Sequence, residues 1–516
     1  MRATSLGHAG ILVHTRQASI VCDPWFEPAF FGSWFPFPRN DKLDLELLEN
    51  LEHPSYLYIS HQHGDHLDET WLASHIDKST QVLLPDFATR ELERQLSRLG
   101  FTHFIRTRDG EELDLGDNLR IAIHVESAIT DGPGGDSAIV ISDGESRLVN
   151  QNDCRTRDLA ALRSHGPVDM HWLQFSGAIW YPMVYEDSPE NLMALARAKV
   201  ESQFSRALHY VSALDAQIVM PSAGPPCFLD AELFGFNMIT GDELSIFPDQ
   251  TKFIARLLGV GNDRGVLNIP GTMVEVTADS VRVVHPTTDE IVREPFDDKA
   301  AYLRAYQADW APWLIRHRAS WPTARTDLVA TLRAWWRPLL TMAPTLRQLI
   351  GGGCVLDLGD LKIHIDFLNG EVDAYDDQPF SFRFTIQREL VEAVVAAKAI
   401  DWSNSLLLSC RFRAWRDGEF NEYLYNFFKS LSVERMRRAE AEAVRRSSPQ
   451  PESQEEIELG GYVMQRQCPH RQADLSVFGE IHGDQLVCTL HGWRFKLADG
   501  SCLNAQDRHL RIRPKT

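Results

Sequence analysis

The sequence has no long apolar run and no surplus of positive charge. It contains no uninterrupted apolar stretch of about eighteen residues, the minimum for a membrane-spanning helix. The region around Trp335 and Trp336 is broken by Arg333, Arg337 and Pro338, so we expect no transmembrane segment. Lys and Arg number 52 against 72 Asp and Glu, a formal net charge of −20, which argues against a nucleic-acid or anionic-membrane partner.

Cysteine is also sparse, with eight residues scattered over the 516 of the chain. A small disulfide-stabilised secreted domain would carry them far more densely. The first residues lead directly into a strand-like pattern and lack the basic head and apolar core of a secretion signal. We therefore expect a cytoplasmic protein whose thiols are mostly reduced and buried. The length and the apolar fraction of 44% allow about three domains.

The most concentrated polar motif is H-x-H-x-D-H at residues 61 to 66, directly after the apolar run 56–59, which is typical of a buried strand. Three imidazoles and a carboxylate form the mixed N/O ligand set that borderline metals take. Gly64 lets the chain turn between two metal positions. A polar loop with solvated histidines is the alternative, but this spacing is a specific motif. The predicted metal ligands here are His61, His63, Asp65 and His66.

The motif closely resembles the signature of the metallo-β-lactamase superfamily. The resemblance implies an αββα sandwich over residues 1–295, with two β-sheets face to face and helices outside, and the strand and helix patterns of this region fit that architecture. In the superfamily an acid at the end of a later strand bridges two metals, and Asp153 fits this place. We expect Asp65 and Asp153 to be both metal ligands and catalytic residues.

Two further histidines of the superfamily, near residues 126–136 and after a late strand, have no counterpart in the sequence. A single metal and an asymmetric pair richer in carboxylate are equally consistent with this set. His8 and Asp23 also lie at predicted strand ends. A structural role and a role in supporting the metal ligands are both open for them.

The region 296–446 predicts an α+β accessory domain without a catalytic constellation. Helical patterns cover residues 299–317, 326–340, 387–400 and 420–446, and a strand lies around 361–367. The aromatic stripe of the first helix favours a core role over a cofactor site. The polar segment 447–456 is expected to be a linker.

The segment after the linker, residues 457–516, contains a second metal-binding pattern. The pattern is C-x-H, then seventeen residues, then C-x-x-H, and its ligands are Cys468, His470, Cys488 and His491. A structural zinc site is the alternative. The pairing of one Cys with one His in each of two loops resembles the small β Rieske [2Fe–2S] domain, in which two Cys hold one iron and two His the other. Such a cluster passes single electrons at a relatively high potential.

The two patterns constrain each other. A zinc hydrolase needs no electron relay, whereas an iron site that activates dioxygen does, so we expect mononuclear or dinuclear iron at the first site. The motifs around residues 22–25, 59–67, 152–154 and 222–224 resemble the CMP-N-acetylneuraminate hydroxylase family, although the Rieske domain stands at the carboxyl end here. The resemblance implies an iron-dependent monooxygenase that hydroxylates a small polar, nucleotide-sugar-like substrate.

We expect NAD(P)H to supply electrons through a separate reductase, ferredoxin or cytochrome, and a homo-oligomer is compatible with the sequence. Two other functions stay open. One is a metallo-β-lactamase-fold hydrolase with a regulatory Rieske domain, and the other is an electron carrier without catalysis. Metal content and reductant-dependent O₂ uptake distinguish them.

Overall fold

Five β-sheets form the framework of the described part of the chain. The computed structural model describes residues 1–129, 134–277, 280–447, 455–505 and 508–515. One compact unit consists of Met1–Ile179 with Ala207–His317, and a second consists of Trp180–Arg206 with Arg318–Thr516. Among the described helices, none combines the length and the apolar character needed to cross a bilayer.

Fourteen strands and eight helices come first in chain order. The strands are β1 (Arg2–Gly7), β2 (Gly10–His14), β3 (Ser19–Cys22), β4 (Tyr56–Tyr58), β5 (Gln81–Leu84), β6 (Phe104–Arg106), β7 (Glu112–Gly116), β8 (Leu119–Glu126), β9 (Asp136–Ser142), β10 (Arg147–Asn152), β11 (Met170–Gln174), β12 (Ile218–Ser222), β13 (Met273–Val276) and β14 (Val281–Val284). The helices are α1 (Leu45–Glu49), α2 (Glu69–His75), α3 (Glu91–Arg98), α4 (Leu159–Ser164), α5 (Pro189–Leu214), α6 (Gln250–Gly259), α7 (Asp289–Asp297) and α8 (Lys299–Ala319).

These strands form two sheets, in the orders β14-β13-β1-β2-β3-β4-β5-β6 and β12-β11-β10-β9-β8-β7. Side chains alternate between the two faces of each strand. In β2, Ile11 and Val13 belong to a core between the sheets that also contains Ile139 of β9, whereas Leu12 packs with Leu72 of α2 on the outer face. Helix α6 packs on β12 in the second sheet. This layering confirms the predicted αββα sandwich of the metallo-β-lactamase type.

Helix α2 shows how local sequence sets an element. The carboxylate of Asp68 accepts a hydrogen bond from the Trp71 backbone N–H at 2.9 Å, which satisfies one of the free donors of the first turn. The helix therefore begins at Glu69. Trp71 and Leu72 are buried against the first sheet, so the metal-motif loop is followed by a firmly packed helix.

The second unit contains a five-stranded sheet in the order β17-β16-β15-β18-β19. Its strands are β15 (Gly353–Asp357), β16 (Lys362–Asp366), β17 (Glu371–Ala374), β18 (Phe382–Ile386) and β19 (Phe412–Arg416), and the helices of this region are α9 (Leu328–Met342), α10 (Pro344–Ile350), α11 (Arg388–Ala396), α12 (Glu422–Phe428) and α13 (Val433–Ser447). The predicted helix over 420–446 is wrong as one element. Ser432 accepts a hydrogen bond from the Arg435 backbone N–H at 3.3 Å and so begins a new helix after α12.

Two three-stranded sheets, β20-β21-β25 and β22-β23-β24, complete the second unit. Their strands are β20 (Glu456–Leu459), β21 (Tyr462–Gln465), β22 (Gly479–His482), β23 (Gln485–Cys488), β24 (Trp493–Lys496) and β25 (Ile512–Pro514), with the short helix α14 (Leu475–Phe478) between them. The predicted linker falls mainly on residues 448–454, which lie outside the described residues.

The predicted domain division after residue 295 stays a prediction. In the structure, α8 belongs to the first compact unit as far as His317. Its buried Tyr306 packs with Phe35 and Phe37 in a separate apolar cluster. The aromatic stripe of this helix is thus part of a core.

Candidate metal centres

The residues of the H-x-H-x-D-H motif lie at one edge of the first sheet, where several strands end. Strands β3 and β4 are parallel, with Cys22 opposite Tyr58, so Asp23 and Ser60 follow them at the same edge. Strand β1 runs in the same direction as β3, because both are antiparallel to β2. The turn that contains His8 therefore reaches this edge too, and ligand groups in α/β folds collect at such carboxyl ends.

His61, His63 and Asp153 form the first of two groups that could hold a metal. Each residue offers one ligand atom, and these atoms lie within 4.8 Å of one another. The Nε2 atom of His61 is 2.7 Å from Nδ1 of His63, so the two rings turn nitrogens toward a common point. Asp153 enters from the end of β10, as the sequence predicted for its position.

His8, Asp65 and His66 form the second group by the same criterion, and all three are buried. Nε2 of His8 lies 3.1 Å from Oδ2 of Asp65, while Nε2 of His66 lies 3.9 Å from the same oxygen. The other oxygen of Asp65 is buried and has no hydrogen-bond partner among the described residues. Nε2 of His66 also lies 3.5 Å from Oδ1 of Asp153, so the two groups meet at Asp153.

Asp23 and Ser60 support this arrangement from behind. The Asp23 carboxylate accepts hydrogen bonds from the backbone N–H and the hydroxyl of Ser60, at 2.7 and 2.6 Å, and lies 3.0 Å from Nδ1 of His66. The Ser60 hydroxyl is also 2.9 Å from Nδ1 of His61. Contacts of this kind fix the orientation of metal-ligating imidazoles.

Three residues beside the site have a left-handed backbone although none is glycine. They are His8, Asp23 and Asn152, with φ of 50°, 43° and 38°. Such conformations cost free energy and persist where the surroundings enforce them, often at functional sites. Each of the three lies at or next to the end of a strand that brings a ligand or its support to the site.

The charges of the site are strongly coupled. Burial lowers the pKa of His61 well below its ordinary value, and the neighbouring His66 and His63 lower it further. Burial acts in the same direction on His66, but the carboxylates of Asp153 and Asp65 outweigh it and raise the pKa of His66. Burial would raise the pKa of Asp65, yet His66 and His8 hold it below its ordinary range. The buried carboxylates of Asp65 and Asp153 therefore favour a positive charge beside them, which a metal cation supplies.

Sequence reasoning left the role of His8 open, and the structure places it beside Asp65 and His66. Its only signal was a histidine in a tight turn at a strand end. Of the acids near the missing superfamily histidines, Glu126 accepts hydrogen bonds from the backbone N–H and the Nε–H of Arg157. Asp136 lies 3.4 Å from Nδ1 of His61, on the side of the ring that faces away from His63.

The four predicted cluster ligands lie in two loops of the second unit. Cys468 and His470 follow β21, while Cys488 ends β23 and His491 lies in the turn before β24. Both cysteines are buried, as the sequence predicted for most of the thiols. The rings of His470 and His491 are 5.0 Å apart at 81°.

The His470 ring is tightly enclosed. It stacks on Trp493 with centroids 4.0 Å apart and planes at 15°. Its Nδ1 atom is buried without a hydrogen-bond partner among the described residues, which leaves this nitrogen for iron. A cluster that takes two cysteines and two histidines from two loops fits this donor set.

Two known domain families match parts of the second unit. Residues 328–445 match the Rv3818-like, SCP2-like domain. Residues 453–512 match the Rieske [2Fe-2S] domain. The predicted Rieske domain at the carboxyl end is therefore confirmed, and the accessory region contains a domain of SCP2-like type.

Two relatives are similar over almost the whole chain. Rv3818 of Mycobacterium tuberculosis, named as a Rieske 2Fe-2S iron-sulfur protein, is 43% identical over 522 residues, which cover 99% of both chains. A Rieske 2Fe-2S iron-sulfur protein of Mycolicibacterium smegmatis is 40% identical over 524 residues, again 99% of both. These relatives do not support the finer resemblance to the CMP-N-acetylneuraminate hydroxylase family, which stays a prediction.

A solved structure with a similar fold is CmlA, a diiron beta-hydroxylase from Streptomyces venezuelae. It is 18% identical, with a TM-score of 0.35, and the likeness covers 55% of this chain and 54% of that one.

Proposed function

The chain belongs to the family of Rieske 2Fe-2S iron-sulfur proteins that includes Rv3818. We propose that it is an iron-dependent monooxygenase. In this proposal the Rieske cluster passes electrons to iron in the metallo-β-lactamase-type domain. The observation that carries the proposal is the composition of the two ligand groups, each of which has two histidines and one aspartate. That set is typical of non-haem iron oxygenases.

The first-domain iron ligands would be His61, His63 and Asp153 at one position and His8, Asp65 and His66 at the other. Iron bound there would supply the activation of dioxygen. Asp153 would connect the two positions, since it belongs to one group and lies 3.5 Å from His66 of the other. Asp23 would hold His66 so that its Nε2 faces Asp65 and Asp153.

The cluster ligands would be Cys468 and Cys488 on one iron and His470 and His491 on the other. Neutral histidine ligands raise the potential above that of all-cysteine clusters. The cluster is thus suited to accept electrons from a reductase, ferredoxin or cytochrome that oxidises NAD(P)H. The domain also implies an electron-transfer partner for the protein.

A small polar, nucleotide-sugar-like molecule is suggested by the resemblance of the motifs around residues 22–25 and 59–67 alone. The hydroxylation would place one atom of dioxygen in the product and reduce the other to water, with two electrons delivered through the cluster and two protons taken from solvent.

Metal and sulfide analysis of the purified full-length protein tests this proposal. We expect about four iron atoms per chain, two of them with acid-labile sulfide, and a Rieske EPR signal after reduction. Reoxidation of the reduced protein by O₂ should be fast in the wild type and slow in His61→Ala, which keeps the cluster. The result that would favour the hydrolase with a regulatory Rieske domain is zinc instead of iron at the first-domain site, together with O₂ reactivity that does not depend on His61.

A further inference from the structure

A buried carboxylate of the SCP2-like domain contacts a predicted ligand of the Rieske cluster. Glu422 is the first residue of α12 and is 4% exposed. Its Oε2 atom lies 3.5 Å from Nε2 of His470 and has no hydrogen-bond partner among the described residues. This oxygen therefore points at the imidazole.

The other oxygen of Glu422 is held by arginines. Nη1 of Arg446 donates a hydrogen bond to Oε1 at 2.7 Å, and Nη2 of Arg508 lies 3.4 Å from the same atom. Arg508 comes from the Rieske domain and also donates a hydrogen bond to the hydroxyl of Tyr423 at 2.9 Å. Glu422 thus has a fixed position between α13 and the cluster-binding domain.

We infer that Glu422 is a positioning residue of the Rieske cluster, through which the SCP2-like domain orients His470 and lowers the reduction potential of the cluster. The inference rests on the ligand set proposed above. Stacking on Trp493 fixes the plane of the His470 ring, and Glu422 fixes the rotation of the ring within that plane. Nε2 is turned to the carboxylate, and Nδ1 is left for iron.

The effect on the potential follows from charge. Reduction adds one electron to the cluster, and a nearby negative charge opposes that addition in a buried, weakly screened environment. Arg446 and Arg508 face Oε1 of Glu422 at 2.7 and 3.4 Å, and neighbouring cations favour the charged form of a carboxyl group. The carboxylate is therefore ionised and disfavours the reduced cluster, while the arginines partly offset it.

The arrangement makes the potential of the cluster depend on the position of α12. Protein groups tune such clusters through hydrogen bonds, charge and burial around the ligands. Glu422 provides two of these effects from outside the Rieske domain. A displacement of α12 would change the potential without altering any ligand of the cluster.

Redox titration of full-length Glu422→Gln, followed by EPR, tests the inference. Glutamine keeps the shape and removes the charge, so we expect the midpoint potential to become more positive. An increase of about tenfold in the equilibrium constant for reduction corresponds to about 59 mV for one electron. The EPR g values should change as well, because the His470 ring is less firmly oriented. Glu422→Asp keeps the charge and should restore most of the wild-type potential.

Two further variants make the result specific. Arg446→Gln removes a cation beside Glu422 and should shift the potential in the opposite direction. Glu392→Gln is the matched control, because Glu392 is also a buried carboxylate of this domain but pairs with Thr326 and Arg388; its potential should equal that of the wild type.

An unchanged potential in Glu422→Gln with full iron and sulfide content would overturn the inference. If Glu422→Gln does not fold, Arg446→Gln decides, and a wild-type potential in that variant would overturn the inference equally. A wild-type protein without acid-labile sulfide would instead overturn the proposed ligand set, so the two failures are distinguishable.

Discussion

Nδ1 of His66 lies 3.0 Å from Oδ2 of Asp23. Both side chains are fully buried, and the same carboxylate is anchored by two hydrogen bonds from Ser60. Asp23 itself has no ligand atom in either metal group. It acts on the site by orienting a ligand, which is one of the two roles that the sequence left open for this residue at the end of β3.

Asp23→Asn should weaken iron binding without removing a ligand. The amide cannot accept hydrogen bonds with both of its polar atoms, so either Ser60 or His66 loses its partner. Loss of such a supporting contact typically costs about 10–100-fold in metal affinity. Iron per chain after dialysis against increasing chelator measures this. Asp158→Asn, which alters only the exposed cap of α4, is the control, and equal retention in the two variants would contradict the prediction.

His8→Ala should remove one of the two first-domain metals. His8 is one of three residues in its group, and the two that remain offer too few ligands for tight binding. We expect a loss of about one iron atom per chain, with the Rieske EPR signal intact. The control is His14→Ala, at the opposite end of the β2 strand. Wild-type iron content in His8→Ala would mean that the site holds a single metal at His61, His63 and Asp153.

His491→Cys should keep the Rieske cluster and lower its potential. The substitution replaces a neutral ligand by a thiolate, and all-cysteine clusters have much lower potentials than Rieske clusters. Redox titration against His482→Cys, at an exposed histidine of β22, separates the ligand effect from that of an added thiol. If the two variants have the same potential, His491 is not a ligand.

The sequence was sufficient for those parts of the two sites that lie close together along the chain. His61, His63, Asp65 and His66 fall within six residues, and their spacing alone indicates a metal. His8 is separated from Asp65 by 57 residues. Only the antiparallel pairing of β1 with β2 and β2 with β3 brings it to the same edge, and a lone histidine carries no spacing signal for that register.

In the second unit, too, the sequence revealed only the residues that lie close together along the chain. The cluster motif has a fixed spacing, so the sequence could predict it, and the Rieske domain is confirmed. Glu422 lies 46 residues or more from each cluster ligand, in a stretch that the sequence pattern assigned to one long helix. The start of α13 at Val433 is marked by a side-chain hydrogen bond, from the Arg435 backbone N–H to Ser432, which hydrophobic periodicity cannot detect.

Ser137→Ala should destabilise the first unit and also weaken metal binding by the loop of residues 61–66. The Ser137 hydroxyl donates a hydrogen bond to the Ser60 carbonyl at 2.7 Å and lies 2.8 Å from the Tyr58 hydroxyl, from which it accepts. All three residues are buried, so alanine leaves a hydroxyl and a carbonyl without this partner. Such losses cost about 1–3 kcal/mol in the free energy of unfolding.

Urea denaturation of full-length Ser137→Ala measures this cost as a shift of the midpoint at which the first unit unfolds. The control is Ser142→Ala, at the end of the same strand. Because Ser60 precedes His61 and supports both His61 and His66, iron should also dissociate faster from Ser137→Ala, while the Rieske signal is unchanged. Tyr58→Phe removes only one of the two bonds and should give an intermediate midpoint. Equal midpoints for Ser137→Ala and Ser142→Ala would show that the hydroxyl is not needed to hold the metal loop on the sheet.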